Sequence, residues 1–181
     1  MANTPFPLPW LRFGSAILVA GGIGIGAYSL LVPADVPHPV IAEVRWETLA
    51  NSLPPEARQI TTYRSPTCGC CGSWVEHMQA QGFQVQDKIV DNLEGVKRDH
   101  NVPEDLAACH TAIVDGYVIE GHVPAADVKR LLTEKPKVVG IAVPGMPLGS
   151  PGMESGNIRE PYQVFTFDQA GKTAVFAEHN T

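Results

Sequence analysis

The pattern of apolar and polar positions changes period several times along the chain, and each change marks an element. Phe13 to Val32 carries no charge, with Arg12 just before it and Asp35 just after. Such a run is long enough to cross a bilayer, whose hydrocarbon core takes ~20 apolar residues. Pro33, Pro37, Pro39, Pro54 and Pro55 then break the pattern, so residues 35–58 read as a linker with at most a short helix around Trp46 to Ser52. Gln59 to Arg64 reads as a strand ending at Pro66. Cys71 to Gln81 reads as a helix, with Trp74, Val75 and Met78 at helical spacing and Gly82 as its stop. Phe83 to Gln86 alternates and leads through Ile89-Val90 as a second strand. Leu93 to His100 is a short helix closed by Pro103. Thr111–Val114 and Tyr117–Glu120 flank Asp115-Gly116, a strong hairpin signal. Pro124 to Glu134 is a third helix, with proline in its first turn and Val128, Leu131 and Leu132 on one face.

The resulting order is β-α-β-α-β-β-α, which implies a mixed α/β sheet with helices packed on its faces. It resembles the thioredoxin fold. The domain is read as residues 59–181, because beyond Lys137 the chain continues as a Gly/Pro-rich loop, Val138 to Gly156. A β-hairpin extension follows: Tyr162–Phe167, a turn at Asp168–Gly171, and Thr173–Phe176.

The apolar N-terminal run changes the setting of everything after it. It is longer than the roughly 7–15 residues of a secretory h-region, and Val32-Pro33-Ala34 is a poor cleavage site. Its five glycines, Gly14, Gly21, Gly22, Gly24 and Gly26, weaken a soluble helix. Residues 1–34 are therefore read as a signal anchor, with a cleaved signal peptide as the alternative. Arg12 leaves the N-terminus in the cytoplasm. The remainder would lie on the periplasmic side of a bacterial inner membrane, or free in the periplasm if the signal is cleaved. The net charge of −6, without a cluster of basic residues, argues against a nucleic-acid partner.

Three of the four cysteines, Cys68, Cys70 and Cys71, fall within four positions. They sit where the first strand hands over to the first helix, and a helix N-terminus favours thiolate over thiol. Thiolates serve both disulfide exchange and soft-metal binding, so position alone leaves both open. The fourth, Cys109, precedes the third strand with His110 beside it, in the place that thioredoxin-like proteins usually give to a proline facing the redox pair. Adjacent Cys70 and Cys71 suit thiolates that bridge several metal ions better than ligands on one tetrahedral zinc. Soft candidates are Cu(I), zinc and iron–sulfur. Met146 and Met153, in the repeated Pro-Gly-Met setting of the Gly/Pro loop, add soft thioethers. That loop is expected to be flexible.

The resemblance then becomes specific. Thr67-Cys68-Gly69-Cys70-Cys71-Gly72 with Trp74-Val75-Glu76-His77, Cys109-His110-Thr111-Ala112, Gly121-His122-Val123-Pro124, and Ala142-Val143-Pro144-Gly145-Met146-Pro147 through Pro151-Gly152-Met153-Glu154 resemble the CopG-like copper-resistance family. These are thioredoxin-like, metal-binding, exported bacterial proteins long catalogued as a domain of unknown function. The resemblance covers roughly residues 59–178. It implies a copper site at Cys68, Cys70, Cys71 and Cys109 holding several sulfur-bridged Cu(I) ions. It also implies copper handling (sequestration, transfer or redox conversion) rather than a settled enzymatic reaction, with other periplasmic copper-handling proteins as partners. The rivals are a thiol–disulfide oxidoreductase and a thioredoxin-like iron–sulfur electron carrier. His110 is read as a ligand or its neighbour, while His122 is read first as structural. His77 is read as a surface residue, Met78 as core and Trp74 as packing. His38, His100 and His179 carry no signal.

Overall fold

The computed structural model describes residues 53–180. The anchor expected over residues 1–34, and the linker with its short helix up to residue 52, lie outside the described residues. Among the described residues no helix is long and apolar enough to cross a membrane. The elements are β1 (Gln59–Arg64), α1 (Gly69–Ala80), β2 (Gln84–Ile89), α2 (Leu93–Asp99), β3 (His110–Val114), β4 (Tyr117–Glu120), α3 (Ala125–Glu134), β5 (Gly140–Ala142), β6 (Tyr162–Phe167) and β7 (Thr173–His179). Short 3-10 turns occupy Pro55–Arg58 and Glu104–Leu106. Leu53 and Ala57 are already buried, so packing begins ahead of β1.

All the strands join one sheet in the order β2-β1-β3-β4-β5-β6-β7. The parallel pair β1/β2, joined through α1, and the antiparallel hairpin β3/β4, followed by α3, form a thioredoxin-like core. The hairpin turns on Asp115 and Gly116 with φ of 47° and 83°. Both values are positive, as the two-residue turn that matches strand twist requires. β5 was not legible. It has three residues, all buried, too few to show an alternation. It pairs parallel to β4 and antiparallel to β6, so the C-terminal hairpin β6/β7 extends the core sheet without a break.

The two faces of the sheet are covered differently. On the front face Cys71, Trp74, Val75 and Met78 of α1 are buried, a helical stripe. They share one cluster with Val128, Leu131 and Leu132 of α3 and with Ile60, Ala112, Val114 and Ile119 of the sheet. On the back face Val118, Ala142 and Phe167 pack with Leu106. There Thr111 and Glu120, paired across β3 and β4, meet Lys97 of α2.

Candidate metal centre

The centre has two walls. The first is the turn from β1 into α1. Cys68 is the N-cap of α1, with extended backbone and no side-chain cap. The helix starts two residues earlier than its apolar spacing suggests, because Gly69 and Cys70 carry no apolar signal. Cys70 and Cys71 therefore lie in the first turn, where backbone N–H groups have no partner within the helix. No acidic residue occupies that turn, so its positive end faces the sulfurs alone. Cys68 and Cys71 are joined as a disulfide. Cys70 is free and half-buried, its Sγ 3.6 Å from that of Cys68. Trp74 fixes the helix behind them, donating its indole N–H to the Val123 carbonyl at 2.9 Å from a fully buried position.

The second wall comes from the mouth of the β3/β4 hairpin. Its register pairs Thr111 with Glu120, and Gly121 N–H donates to the His110 carbonyl at 3.0 Å. One step further along the same ladder, Cys109 faces His122. Cys109 Sγ lies 2.9 Å from His122 Nε2. His122 Nδ1 lies 2.8 Å from the Pro151 carbonyl, which can only accept, so Nδ1 carries the proton and Nε2 presents its lone pair to the sulfur. This is the tautomer of a metal-ligating histidine, with one nitrogen fixed by backbone and the other free to bind. His110 is fully buried. Its Nδ1 is 3.8 Å from Cys109 Sγ, its Nε2 has no hydrogen-bond partner among the described residues, and its ring packs against Trp74 at 4.5 Å and edge-on to His122 at 5.1 Å.

The electrostatics follow from burial. The Cys109 thiol is pushed up to about 12, first by burial and then by Cys70 beside it. Burial also holds His110 well below the usual imidazole range, with His122 adding to the effect. His122 is lowered by burial, opposed by its bond to Pro151. A protonated Cys109 donating to a neutral His122 is the consistent state. A metal ion entering here replaces that proton, so binding at neutral pH releases it.

The four cysteine sulfurs lie within 4.8 Å of one another, and so do the ligand atoms of Cys109, His110 and His122. Cys109 belongs to both sets. The donor atoms are cysteine sulfur and imidazole nitrogen, types that suit copper and zinc once the cysteines are reduced and deprotonated. Of the expected site residues, the structure thus gathers Cys68, Cys70, Cys71, Cys109 and His110. His122, read first as structural, joins the second set through Cys109, and its signal is in the sequence: a two-residue turn at Asp115-Gly116 fixes the register that sets it opposite Cys109.

The Gly/Pro loop departs from expectation. It was read as flexible, but Ser150 and Pro151 are buried. Tight backbone bonds link Gly149 N to Met153 O and Met153 N to Ser150 O, both at 2.9 Å. Gly152 has φ +83°, and a Cβ there would come within 2.7 Å of Trp74 N and 2.8 Å of the Cys70 carbonyl. Glycine is what lets the loop lie against the first turns of α1. Met146 points to solvent at 55% exposure, while Met153 is half-buried. His77 is not a free surface residue, since its Nε2 accepts from Ala125 N–H at 3.3 Å.

Residues 106–153 match a family described as "Protein of unknown function, DUF411". That stretch runs from the approach to Cys109 through His122 to Met153. Two solved structures, described as copper resistance protein copG in forms 1 and 2, align at 44% identity and a TM-score of 0.65. The alignments cover 67% and 68% of this chain and 98% of each of those chains. No curated protein matches.

Proposed function

The chain belongs to the CopG copper-resistance family, and from that premise we propose that it is an exported copper-binding protein that sequesters Cu(I) and passes it on. The observation that carries this reading is the gathering of four sulfurs within 4.8 Å of one another. Once Cys68 and Cys71 are reduced, four thiolates converge at a helix N-terminus. That donor density exceeds what one Cu(I), satisfied by two or three sulfurs, requires, and it favours several ions sharing bridging sulfur. His122 and His110 add imidazole donors on the buried side. Met146 and Met153 are assigned as neutral thioethers, weaker than thiolates and suited to handing the ion to another periplasmic copper protein. The apolar run of residues 13–32 would hold the domain at the periplasmic face of the inner membrane, or direct its export if cleaved. The test is a Cu(I) titration of the fully reduced chain under anaerobic conditions. More than one copper per chain is expected, with ultraviolet thiolate-to-copper absorption. No binding, or equal binding when all four cysteines are replaced by serine, removes the reading.

The Cys68–Cys71 disulfide favours a second, redox reading. Two thiols forming this bond release two electrons and two protons, enough to reduce two Cu(II) to two Cu(I). The same dithiol could instead serve thiol–disulfide exchange with proteins. Catalytic disulfide reduction by the metal-free chain would select the latter. A brown chromophore after anaerobic purification would select an iron–sulfur carrier, because d¹⁰ Cu(I) thiolates are nearly colourless.

A further inference from the structure

Directly behind the second wall, on the back face of the sheet, lies a charged group that metal binding does not use. Glu120 is fully buried and Lys97 is 3% exposed. The Glu120 carboxylate takes three donors. Lys97 Nζ reaches Oε1 at 2.5 Å, Thr111 Oγ1 reaches Oε2 at 2.7 Å, and the backbone N–H of Ala108 reaches Oε1 at 2.7 Å. Lys97 also donates to Thr111 Oγ1 at 3.2 Å. Burying such a pair costs desolvation that an apolar pair would avoid, so stability alone is a poor reason for its presence.

Its placement suggests another reason. Ala108 immediately precedes Cys109, and Glu120 stands two residues before His122. The segment from Ala107 to Cys109 belongs to no strand, and Ala107 has extended backbone (φ −61°, ψ 134°). The bond from Ala108 N–H to Glu120 ties this segment to the strand that carries His122. Gly121 closes the same junction, since a Cβ there would come within 2.7 Å of the Ala108 Cβ. We propose that Glu120 is a positioning residue for the metal centre: held by Thr111 and at full reach, its side-chain oxygen fixes the Ala107–Cys109 segment and thereby the spacing between Cys109 Sγ and His122 Nε2. The inference rests on the copper-binding reading. It adds that a group touching no metal sets the geometry of the buried wall.

Two variants separate reach from charge. Glu120→Asp keeps the carboxylate near Lys97 but shortens the side chain by one methylene, so it cannot hold Ala108 N–H as well. The double variant Lys97→Met/Glu120→Gln removes both charges and keeps an amide oxygen at full reach. Each chain is titrated anaerobically with Cu(I) against a competing chelator, reading affinity, copper per chain and the thiolate-to-copper absorption, with thermal unfolding measured alongside. Positioning predicts at least tenfold weaker binding and an altered absorption for Glu120→Asp, and parent-like binding for the double variant whatever its melting temperature. A role in charge or stability alone predicts the reverse, and parent-like copper binding by Glu120→Asp overturns the proposal. Should Glu120→Asp fail to fold, the double variant decides: parent-like binding supports positioning and a tenfold loss overturns it. If the parent itself binds no Cu(I), the copper reading fails instead, a result distinct from either.

Discussion

The two walls of the centre are built on opposite principles. The Cys68–Cys70–Cys71 wall is local and set at the open end of a helix, with Cys68 and Cys70 half-exposed, Cys71 buried, and a disulfide with a third sulfur 3.6 Å away. The Cys109–His110–His122 wall is assembled across a hairpin. Both of its histidines are fully buried, and it is braced by Pro151 in front and by Glu120 behind. One wall carries its sulfurs within a single turn of helix. The other cannot move without disturbing the sheet. The division matters for a metal site, because the hairpin wall fixes the spacing of its donors while the helix wall holds the sulfurs that can be joined or parted.

The sharpest way to break the comparison is to remove the residue that both walls share. Cys109→Ser should cost more copper per chain than Cys70→Ser, because Cys109 serves both donor sets whereas Cys70 serves the sulfur set alone. Elemental analysis of the reduced, copper-loaded chains after gel filtration reads the difference. Equal copper in Cys109→Ser and parent would mean that the walls do not meet at a common ion.

A smaller effect tests the fixed wall by itself. His122→Ala should weaken Cu(I) binding by roughly 10–100-fold, the range seen when groups that support a metal site are removed. His77→Ala should leave copper affinity unchanged, because His77 accepts from Ala125 N–H and serves to join α1 to α3. Chelator competition measures both. If the two variants bind equally, the imidazole facing Cys109 contributes no more than any buried histidine.

The same division explains what could be read before the structure. The first wall was legible because everything that defines it lies within one turn of helix: Cys-Gly-Cys-Cys, the preceding strand and the following apolar stripe. The thioredoxin-like order was legible for the same reason, since β1, α1, β3, β4 and α3 each carry a clear period and turn residues. The second wall depends on pairing between strands. Cys109 was placed from its strand, but His122 needed the hairpin register carried two pairs past its last ladder residue. Glu120 and Lys97 were not legible as a pair, because a buried charge looks like a solvated one until the elements around it are packed. The Gly/Pro loop misled for a related reason. Its composition signals turns, and turns can be tightly packed when glycine lets them approach a helix, as Gly152 does.

Acid tests how firmly the buried wall excludes charge. In the metal-free chain His77, His110 and His122 are all held below the usual imidazole range, each chiefly by burial. A base whose folded pKa is lowered takes up its proton first in the unfolded chain, so stability is retained above an unfolded pKa of about 6.5 and lost as pH falls below it. The limiting slope is about 1.4 kcal/mol per pH unit for each such histidine. Glu120 and Asp127, raised by burial, act in the opposite sense: the stability they add at low pH is lost as pH rises through their folded pKa values. Comparing urea midpoints at pH 7.5 and 5.5 for the parent and His122→Ala isolates one imidazole. The variant should lose less stability on acidification. An identical loss in both would show that His122 takes a proton in the folded chain as readily as in the unfolded one.

The smallest effect concerns the loop that lies across both walls. Pro151 is bonded to His122 and Gly152 rests on α1, so the loop is held by contacts that involve no metal. Binding therefore does not require the roughly 1–2 kcal/mol per residue of ordering entropy that a mobile loop would cost. The copper count should then be indifferent to the loop's sulfurs, while the exit route of an ion should not. Leucine replaces methionine with little change in volume, so Met146→Leu/Met153→Leu removes the thioethers and leaves the packing. The double variant is expected to keep the parent's copper per chain and to transfer Cu(I) to a strong chelator at a rate changed by a few fold. Single variants divide that effect between exposed Met146 and half-buried Met153. If the double variant transfers at the parent's rate, the thioethers play no part in transfer and the loop serves to hold Pro151 against His122.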